Sequence, residues 1–407
     1  NNKLVFYFRV HKRRRLRPSN FFDFGAGPPY FDDDLNEKIL SRTTANCYLP
    51  TNKLLLRMIK KHPGIKIAFS ISGTTIEQFE EHSPEVLLSF RDLARTGNVE
   101  FLGETYYHSL ACMISPGEFE KQVIRHSEKI KEHFGVEPKF FRNTELIYNN
   151  DIGQKVSTLG FRGIITDGIE SILNHRSPHH VYGHPTNSRF KILVRNYMLS
   201  DDIAFRYSPS DLSVEKYFQW LSQVPNDQPV VTLALDYETF GEHKKSNTGI
   251  HTFLEKLLEA MATSGDYEMA TPSEAIASLR PHSILFVPQY ISWADKERDL
   301  SAWLGNDMQR DAFDSIKKLE RKLKILNNPL FLDIWRQLQT SDHFYYMSTK
   351  NESDGSVHSY FSPYCSPYEA FINYMNVLSD FSLQIKKYLA RNKKKIQKSL
   401  SSDPISY

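Results

Sequence analysis

The chain has 407 residues, with 51 basic and 48 acidic side chains and a net charge of +3. This length allows one large α/β domain with an appended piece, or two to three ordinary domains. The balanced charge gives no reason to expect binding to nucleic acid or to a membrane surface. No apolar run approaches the roughly 18 residues of a membrane span.

The cysteine pattern narrows the class of protein further. Cys47, Cys112 and Cys365 are far apart in the chain and show no C-x-x-C spacing. They therefore predict neither a disulfide framework nor a zinc site, and they fit a reducing compartment, so we expect a cytoplasmic location. The first residue is not Met, so the earlier removal of an upstream segment such as a signal peptide stays open.

Short apolar runs recur along the chain, and each is followed by a polar residue. We predict seven strands, at 4–10, 65–71, 99–102, 139–141, 161–165, 190–194 and 230–235. Stretches with helical spacing lie between them, at 34–48, 74–95, 116–134, 211–223 and 248–262. The second of these begins Thr74-x-x-Glu77, the spacing of a capping box.

Seven strand–helix steps predict an α/β fold in which the strands form a parallel β/α barrel, which needs roughly 250 residues. A doubly wound open sheet is the competing architecture. That alternative usually carries a glycine-rich phosphate turn, and neither G-x-G-x-x-G nor a P-loop occurs here. The sequence therefore argues against nucleotide binding.

The sequence pattern changes from residue 308 onward. Charged helical segments at 308–326 and 367–389 follow without further apolar strand runs, which predicts a helical bundle. We predict a catalytic barrel at 1–282, a C-terminal helical region at 283–395 that contributes to the barrel mouth, and a tail at 396–407. The basic segment 386–398 is interpreted as a solvated helix end rather than an arm for nucleic acid.

The candidate site lies at the ends of the predicted strands. The strand at 230–235 is buried in pattern and leads directly into Asp236, Glu238 and His243, while the strand at 139–141 leads into Glu145. Because the carboxyl ends of parallel strands meet on one face of a barrel, these groups can converge across long sequence distances. Paired carboxylates at such a mouth are typical of glycoside hydrolysis. A surrounding polar shell is expected from His11, Glu100, Glu104, His108, Arg142, Asp202, Arg206 and Glu238.

Three other patterns carry alternative interpretations. Spaced histidines with a nearby acid could bind a metal, but Pro178 and Gly183 interrupt any helix there, which favours a loop of exposed histidines. The basic run at 12–17 could bind phosphate, although a solvated loop is favoured. Aromatic and acidic residues mix at 293–303, which suits sugar stacking as well as an ordinary core. The residues concerned are His175, His179, His180, His184 and Asp167 in the first pattern, and Trp293, Asp295, Asp299 and Trp303 in the last.

Five long segments in order resemble the signature segments of glycoside hydrolase family 57, close to its α-amylase members. They are 97–110 (GNVEFLGETYYHSL), 141–148 (FRNTELIY), 196–206 (NYMLSDDIAFR), 235–243 (LDYETFGEH) and 299–306 (DLSAWLGN). The first motif of that family is His-Gln-Pro, and here it is His11-Lys12-Arg13.

The resemblance implies an incomplete seven-stranded β/α barrel followed by helices, acting on α-1,4-linked glucans with retention of configuration. It implies Glu145 as the nucleophile and Asp236 as the general acid/base. Supporting acids at Glu100, Glu238 and Asp299 and a stacking wall at Trp303 are also implied. We expect the substrate-binding set to comprise His11, Glu100, Glu104, His108, Arg142, Asp202, Arg206, Glu238, His243, Asp299 and Trp303.

Some properties stay open at this point. We expect no metal and no cofactor, an α-glucan as the partner, and no nucleic acid or membrane. The oligomeric state is open. Hydrolysis in the manner of an α-amylase is the favoured activity. A 4-α-glucanotransferase or branching-type transferase is the alternative on the same scaffold, and a non-catalytic glucan-binding barrel is the alternative of another class.

Overall fold

The computed structural model describes the backbone of residues 2–400 and the side chains of residues 2–20 and 22–392. Within this part of the chain there are twelve strands: β1 (Asn2–Val10), β2 (Ile67–Ile71), β3 (Val99–Phe101), β4 (Phe140–Arg142), β5 (Gly163–Asp167), β6 (Tyr182–His184), β7 (Asn187–Arg195), β8 (Val230–Asp236), β9 (Phe240–Gly241), β10 (Lys244–Lys245), β11 (Tyr267–Met269) and β12 (Ser283–Ile284).

The same residues form nineteen α-helices: α1 (Asp33–Thr43), α2 (Leu49–Lys61), α3 (Gly73–His82), α4 (Pro84–Arg95), α5 (Ala111–Ile114), α6 (Pro116–Phe134), α7 (Asn150–Thr158), α8 (Glu170–Leu173), α9 (Tyr197–Ala204), α10 (Val214–Ser222), α11 (Ile250–Thr263), α12 (Pro272–Ser278), α13 (Ser301–Leu304), α14 (Asp307–Lys317), α15 (Glu320–Leu326), α16 (Pro329–Gln337), α17 (Ser341–Tyr345), α18 (Glu352–Phe361) and α19 (Pro367–Leu400). None of these helices combines the length and hydropathy that crossing a membrane requires.

Seven strands form one curled parallel sheet in the order β4, β5, β7, β8, β1, β2, β3. The two ends of this series approach each other, because Gly103, just after β3, bonds to β4: its N–H donates to the Phe140 carbonyl at 2.9 Å, and its carbonyl accepts from Arg142 N–H at 2.9 Å. The predicted incomplete seven-stranded barrel is confirmed, and each of the seven predicted strands overlaps one strand of this sheet.

Along β1 and β8 the side chains point alternately toward the surrounding helices and into the barrel, and this places the site residues inside the barrel. Leu4, Phe6 and Phe8 pack into the core under the helices. Val5 and Tyr7 belong to a second cluster inside the barrel. Arg9 continues the inward series, because successive strand residues point to opposite faces. On β8 the inward series is Val230, Thr232, Ala234 and Asp236, of which Val230 and Ala234 share the cluster that holds Val5 and Tyr7.

Several local features differ from the predictions. The expected helix 74–95 is two helices that break at Ser83, directly before Pro84. Ser72, not Thr74, caps α3: its side chain accepts from Thr75 N–H. Helix α2 and the strands β6, β11 and β12 were not predicted. Strand β6 runs antiparallel to β7, so its pattern belongs to a hairpin rather than to a strand–helix step.

The chain forms two compact units. The first comprises the residues up to Lys12 together with Glu37–Ala294 and holds the barrel. The second comprises Arg13–Asn36 and the residues from Asp295 onward. The predicted boundary at 282 and the predicted contribution of the C-terminal region to the mouth stay predictions. Residues 401–407 of the predicted tail lie outside the described residues, while the backbone of 396–400 belongs to α19.

The second unit is helical, as predicted. Its longest helix, α19, binds the loop formed by Arg13–Asn36: Asp380 accepts from Gly27 N–H at 3.1 Å and from the Tyr30 hydroxyl at 2.6 Å. Asn373 accepts from Ser19 N–H at 2.6 Å. These hydrogen bonds hold an early loop of the chain against a late helix, which explains why both belong to one compact unit.

Candidate active site

Arg9 and Asp236 lie opposite each other on β1 and β8, which are in parallel register at this pair. Arg9 Nε donates to Asp236 Oδ1 at 2.6 Å and Nη2 donates to Oδ2 at 2.8 Å. This is the bidentate geometry in which a guanidinium fork matches a carboxylate. The remaining nitrogen, Nη1, donates to Glu145 Oε1 at 3.2 Å. One guanidinium therefore contacts both of the carboxylates that the sequence pairs.

Glu145 follows β4 in a short 3-10 turn, Thr144–Leu146, and adopts a left-handed backbone with φ of 57°. His108 Nε2 lies 2.8 Å from Oε1 and donates to it, and Trp293 Nε1 donates to Oε2 at 2.7 Å. Burial alone raises the pKa of a carboxyl, but the charge of Arg9 and the hydrogen bond from His108 outweigh it and hold the pKa of Glu145 well below its usual range. Glu145 is therefore an ionised carboxylate at neutral pH.

His108 is completely buried behind Glu145 and stacks on His11 with ring centroids 4.0 Å apart. Burial lowers the pKa of His108 to about 3, although Glu145 acts in the opposite direction. The neutral imidazole then donates from Nε2 to the carboxylate. His11 Nδ1 is in turn 2.8 Å from Ser72 Oγ, the cap of α3. The helix start and the site are thus joined through one histidine.

A buried ion pair lies beneath His108. Arg142 Nη1 is 3.3 Å from Glu104 Oε2, and both side chains are at most 1% exposed. Arg142 Nη1 also lies 3.5 Å from His108 Nδ1, so a positive charge faces the acceptor side of that ring. Burial raises the pKa of Glu104 to about 7 against the opposing charge of Arg142. Glu104 thus titrates near neutrality, unlike Glu145.

The indole ring of Trp293 lies close to the guanidinium groups of three arginines. The guanidinium carbons of Arg9, Arg142 and Arg195 lie 5.2, 5.4 and 5.4 Å from its ring centre. Cations over an indole face are attracted by the ring quadrupole. The same ring donates to Glu145, so Trp293 orients a carboxylate and three cations at once.

Glu238 lies past Asp236 in the 3-10 turn Tyr237–Thr239 and is buried. Its Oε1 accepts from the Tyr48 hydroxyl at 2.5 Å and from His11 N–H at 3.3 Å. Burial raises the pKa of Glu238, and the nearby charge of Lys12 opposes that shift. Burial has the opposite effect on a histidine, and it lowers the pKa of His243 to about 4. Lys12 acts on both groups, so its charge is felt inside the barrel mouth.

Six predicted site residues lie in the contact network around Glu145 and Asp236. His108 contacts Glu145, and His11 and Arg142 contact His108. His243 and Glu238 follow Asp236 along the chain and share its electrostatic surroundings. The six are His11, Glu104, His108, Arg142, Glu238 and His243.

The other predicted residues of the first unit have different contacts. Glu100 accepts from the backbone N–H of Ser273 at 2.9 Å and from its hydroxyl at 2.5 Å, in the first turn of α12. Asp202 and Arg206 pair with each other on α9 at 2.6 Å, with Arg206 about half exposed. These contacts account for the three residues as local stabilisers, and substrate binding by them stays a prediction.

Two predicted residues lie in the second unit. Asp299 accepts from Ser301 N–H at 2.8 Å at the start of α13. Trp303 is 1% exposed and its ring centre lies 6.3 Å from that of Tyr345. In the described state this indole is part of a helical core and has no open face. The stacking role implied for it stays a prediction.

The basic run at 12–17 is predicted to be a solvated loop, and the structure contradicts this: residues 12–14 are half-buried and residues 15 and 16 are buried. Within the second unit, Arg13 Nη2 donates to the Phe361 carbonyl at 2.6 Å and its guanidinium lies 5.4 Å from the Tyr346 ring centre. Arg15 is buried, with its backbone N–H bonded to Asn36 at 2.9 Å. These side chains meet protein acceptors, which leaves little of the run available as a phosphate strip.

The histidines of the proposed metal pattern also meet protein groups. His179 Nδ1 lies 2.9 Å from Gln228 Oε1 and its Nε2 lies 2.8 Å from Asn196 Nδ2. His184 Nε2 donates to the Asn150 carbonyl at 2.8 Å. These contacts use the nitrogens that a metal would need.

A separate cluster of metal-ligand residue types is formed by Glu80, Glu132 and His133, whose ligand atoms lie within 4.8 Å of one another. Lys129 Nζ is 2.7 Å from Glu80 and 3.8 Å from Glu132. The lysine charge therefore already occupies the place of a cation beside these acids.

Sequence reasoning missed Arg9, Tyr48 and the contact of Trp293 with Glu145. A signal for Arg9 was present: it is a cation that directly follows the apolar run 4–8 of β1, in period two with Val5 and Tyr7. Its partner is 227 positions away, so only strand register could identify it. Tyr48 lies in a π-helical turn, Thr44–Tyr48, which carries no motif.

The arrangement joins an ionised, multiply hydrogen-bonded carboxylate to a second carboxylate at the carboxyl ends of parallel strands. Such a pair can act as a nucleophile and a proton donor on an acetal carbon. In the barrel class as a whole, catalytic groups occupy this face. The fold and the site together define a β/α-barrel enzyme of the glycosidase type.

The sequence profile of the family described as Glycosyl hydrolase family 57 matches residues 5–288. The chain belongs to this family and is an enzyme that acts on glycosidic bonds. A Methanocaldococcus jannaschii protein provisionally named an alpha-amylase is 42% identical over 406 residues, which cover 96% of this chain and 86% of the relative.

More distant similarity follows the same family. A Pyrococcus horikoshii alpha-amylase is 21% identical over 291 residues, and the match spans 70% of this chain and 44% of that protein. The crystal structure of a family 57 branching enzyme from Thermococcus kodakaraensis superposes with a TM-score of 0.72 at 14% identity, covering 98% of this chain and 94% of that chain. This likeness concerns the fold.

Proposed function

We propose that the protein cleaves α-1,4-glucosidic bonds in starch-like or glycogen-like glucans or maltooligosaccharides with retention of configuration, in the manner of an α-amylase. The observation that carries the proposal is the single guanidinium of Arg9, which contacts Asp236 at 2.6 and 2.8 Å and Glu145 at 3.2 Å. It brings together two carboxylates, one in the turn after β4 and one at the end of β8, and retaining chemistry needs such a pair. The names of the relatives support the substrate class.

Glu145 is the proposed nucleophile. Three donors hold it ionised and fix the direction of its oxygens, which reduces the entropy lost in reaching the anomeric carbon. Its oxygen attacks C1 of the bound sugar, the C1–O bond to the leaving glucan breaks, and the bonding electron pair goes to the leaving oxygen.

Asp236 is the proposed general acid/base. It gives its proton to the leaving oxygen in the first step. In the second step it takes a proton from the acceptor, water, while the water oxygen attacks C1 and the ester electron pair returns to Glu145. Neutral His108 keeps its hydrogen bond to Glu145 throughout, because its low pKa prevents it from competing for the proton.

Product analysis with maltoheptaose tests the proposal. Hydrolysis predicts shorter maltooligosaccharides only. Longer products in addition would assign a 4-α-glucanotransferase or branching activity to the same pair, since water and a sugar hydroxyl compete for the same intermediate. Glu145→Gln should abolish turnover and keep glucan binding, because the amide has the same shape but cannot form the ester. Binding without turnover by the unmodified protein would instead indicate a non-catalytic glucan-binding barrel.

A further inference from the structure

Arg9 is the one side chain among the described residues that hydrogen-bonds to both Glu145 and Asp236. It is 14% exposed, and the two carboxylates are 12% and 19% exposed. All three nitrogens of its fork are used, two on Asp236 and one on Glu145. Its guanidinium also lies over the ring of Trp293 at 5.2 Å. The position of Arg9 is therefore set by two strands, one turn and an aromatic face.

We propose that Arg9 is the positioning residue that holds the two catalytic carboxylates in one frame and that, once Asp236 has given its proton to the leaving oxygen and Glu145 has been esterified, holds the Asp236 carboxylate in place for the second step. The inference rests on the proposed function and concerns a residue outside the motif set that identified the family. Arg9 does not donate or accept the transferred proton itself, because a guanidinium stays charged at any working pH.

The first step of the reaction requires a protonated Asp236, and this weakens its contact with Arg9. Both oxygens of Asp236 accept hydrogen bonds from Arg9, so a proton on either oxygen would face an N–H donor. The acid form of Asp236 therefore requires that Arg9 release at least one oxygen. The reacting sugar supplies the reason for release, since its leaving oxygen becomes the new partner of the protonated carboxyl.

The second step of the reaction is favoured by the contact between Arg9 and Asp236. Esterification turns Glu145 from an anion into a neutral ester, so the share of the Arg9 charge that was balanced by Glu145 becomes available to Asp236. The attraction between unlike charges at hydrogen-bond distance holds the carboxylate form of Asp236 against Arg9. That form is the base that accepts the proton of water while the C1–O bond to Glu145 breaks.

The other titratable groups around Glu145 and Asp236 do not change the direction of the effect of Arg9. Burial lowers the pKa of His108 to about 3 and that of His243 to about 4, so both rings are neutral in an assay near pH 6. The remaining charges come from Lys12 and Glu238 beside Asp236, and from Arg142 and Glu104 behind Glu145. They are the same in an Arg9 variant and in the unmodified enzyme.

The test compares Arg9→Gln and Arg9→Lys with the unmodified enzyme, with Arg57→Gln as a control that removes a surface arginine paired to Glu255 in the same unit. The first readout is the pH profile of kcat/KM on maltoheptaose. The Arg9 charge helps to hold the pKa of Glu145 low, so the acid limb of the Arg9→Gln profile should move to higher pH. A purely structural role would lower the rate without moving the limbs.

The second readout uses α-maltosyl fluoride, whose leaving group needs little help from an acid. In Arg9→Gln the first step should proceed while the second slows by about 10- to 100-fold, less than the loss of an entire base. Fluoride should then appear in a burst equal to the enzyme concentration, and the maltosyl-enzyme should be visible by intact-protein mass. Arg9→Lys keeps a charge but lacks the fork, so it should show a smaller burst.

An unmoved acid limb and the absence of a burst in folded Arg9→Gln would overturn the proposal, with folding checked by thermal unfolding. If Arg9→Gln does not fold, Arg9→Lys carries the test, and the absence of a burst in that variant has the same meaning. Failure of the proposed function is distinguishable: the unmodified enzyme would then give no products, or Glu145→Gln would keep normal turnover.

Discussion

Trp293 donates its indole N–H to Glu145 Oε2 at 2.7 Å, while three guanidinium groups lie 5.2 to 5.4 Å from its ring centre. The residue lies on the segment that follows β12, and its backbone N–H is bonded to the Glu145 carbonyl at 3.3 Å. The orientation of Glu145 thus depends on a chain segment 148 positions away.

Replacing Trp293 with Phe should remove this hydrogen bond and keep an aromatic floor. A hydrogen bond to a charged group contributes about 1.5–3 kcal/mol, so kcat/KM on maltoheptaose should fall on the order of 10- to 100-fold. The lost donor also stabilised the anion, so the pKa of Glu145 should rise and the acid limb of the pH profile should move to higher pH.

Trp220→Phe is the matched control, because Trp220 lies on α10 beside Lys216 and touches none of these groups. It should leave the rate and the profile unchanged. A Trp293→Phe enzyme with the acid limb of the unmodified protein would show that the indole does not act on Glu145.

Glu104 makes the stability of the protein depend on pH. Burial raises its pKa in the folded state to about 7, above the ordinary value of 4.5. The folded state therefore binds the proton more tightly than the unfolded state, and this contribution is fully present below about pH 4.5 and is lost as pH rises through about 7. Glu104→Gln should flatten the fall of the midpoint temperature of unfolding between pH 5 and 8.

Glu255→Gln provides the comparison for that measurement, since Glu255 is a surface partner of Arg57. It should keep the pH slope of the unmodified protein. An unchanged slope in Glu104→Gln would mean that Glu104 is ionised in the folded state throughout this range.

Gly241 closes the turn that follows Glu238. Its φ is 113°, and a Cβ at this position would lie 1.9 Å from the Asn46 carbonyl oxygen. Gly249 also has a positive φ, 78°, but the nearest atom to its Cβ would be the Tyr207 hydroxyl at 3.6 Å. Ala at Gly249 should therefore cost about 1 kcal/mol from backbone strain alone.

Gly241→Ala should cost more than about 2 kcal/mol beyond that control, because backbone must move as well. Its activity should also fall, since the displaced turn carries Glu238. Equal denaturation midpoints for the two variants would show that the turn relaxes without strain.

The sequence predicts the seven barrel strands well because each is a short apolar run ending in a polar residue, and this pattern is local. The converging set His11, Glu104, His108, Arg142 and Glu145 was also accessible, since all follow predicted strands. By contrast, Arg9 depends on the register of β1 with β8, and register is a property of the assembled sheet.

Local competition explains another miss. Thr74 and Glu77 have capping-box spacing, yet Ser72 caps α3, with Gly73 as its first residue. A Cβ on Gly73 would lie 2.5 Å from the Tyr106 ring, so tertiary packing at this glycine sets the helix start. The contact with the Tyr106 ring cannot be predicted from the spacing of residues along the helix. Trp303 carries a motif signal and is buried in a helical core, and its stacking role stays a prediction.

Azide rescue tests the central claim, the division of roles between Glu145 and Asp236, most directly. The measurement is the anomeric configuration of the glycosyl azide that each alanine variant forms from an α-maltosyl donor with a good leaving group. In Asp236→Ala, azide should replace water in the second step and give the α-azide after two inversions at C1. In Glu145→Ala, azide should replace the missing nucleophile and give the β-azide after one inversion. The opposite configurations, or no azide product from either variant, would contradict the account.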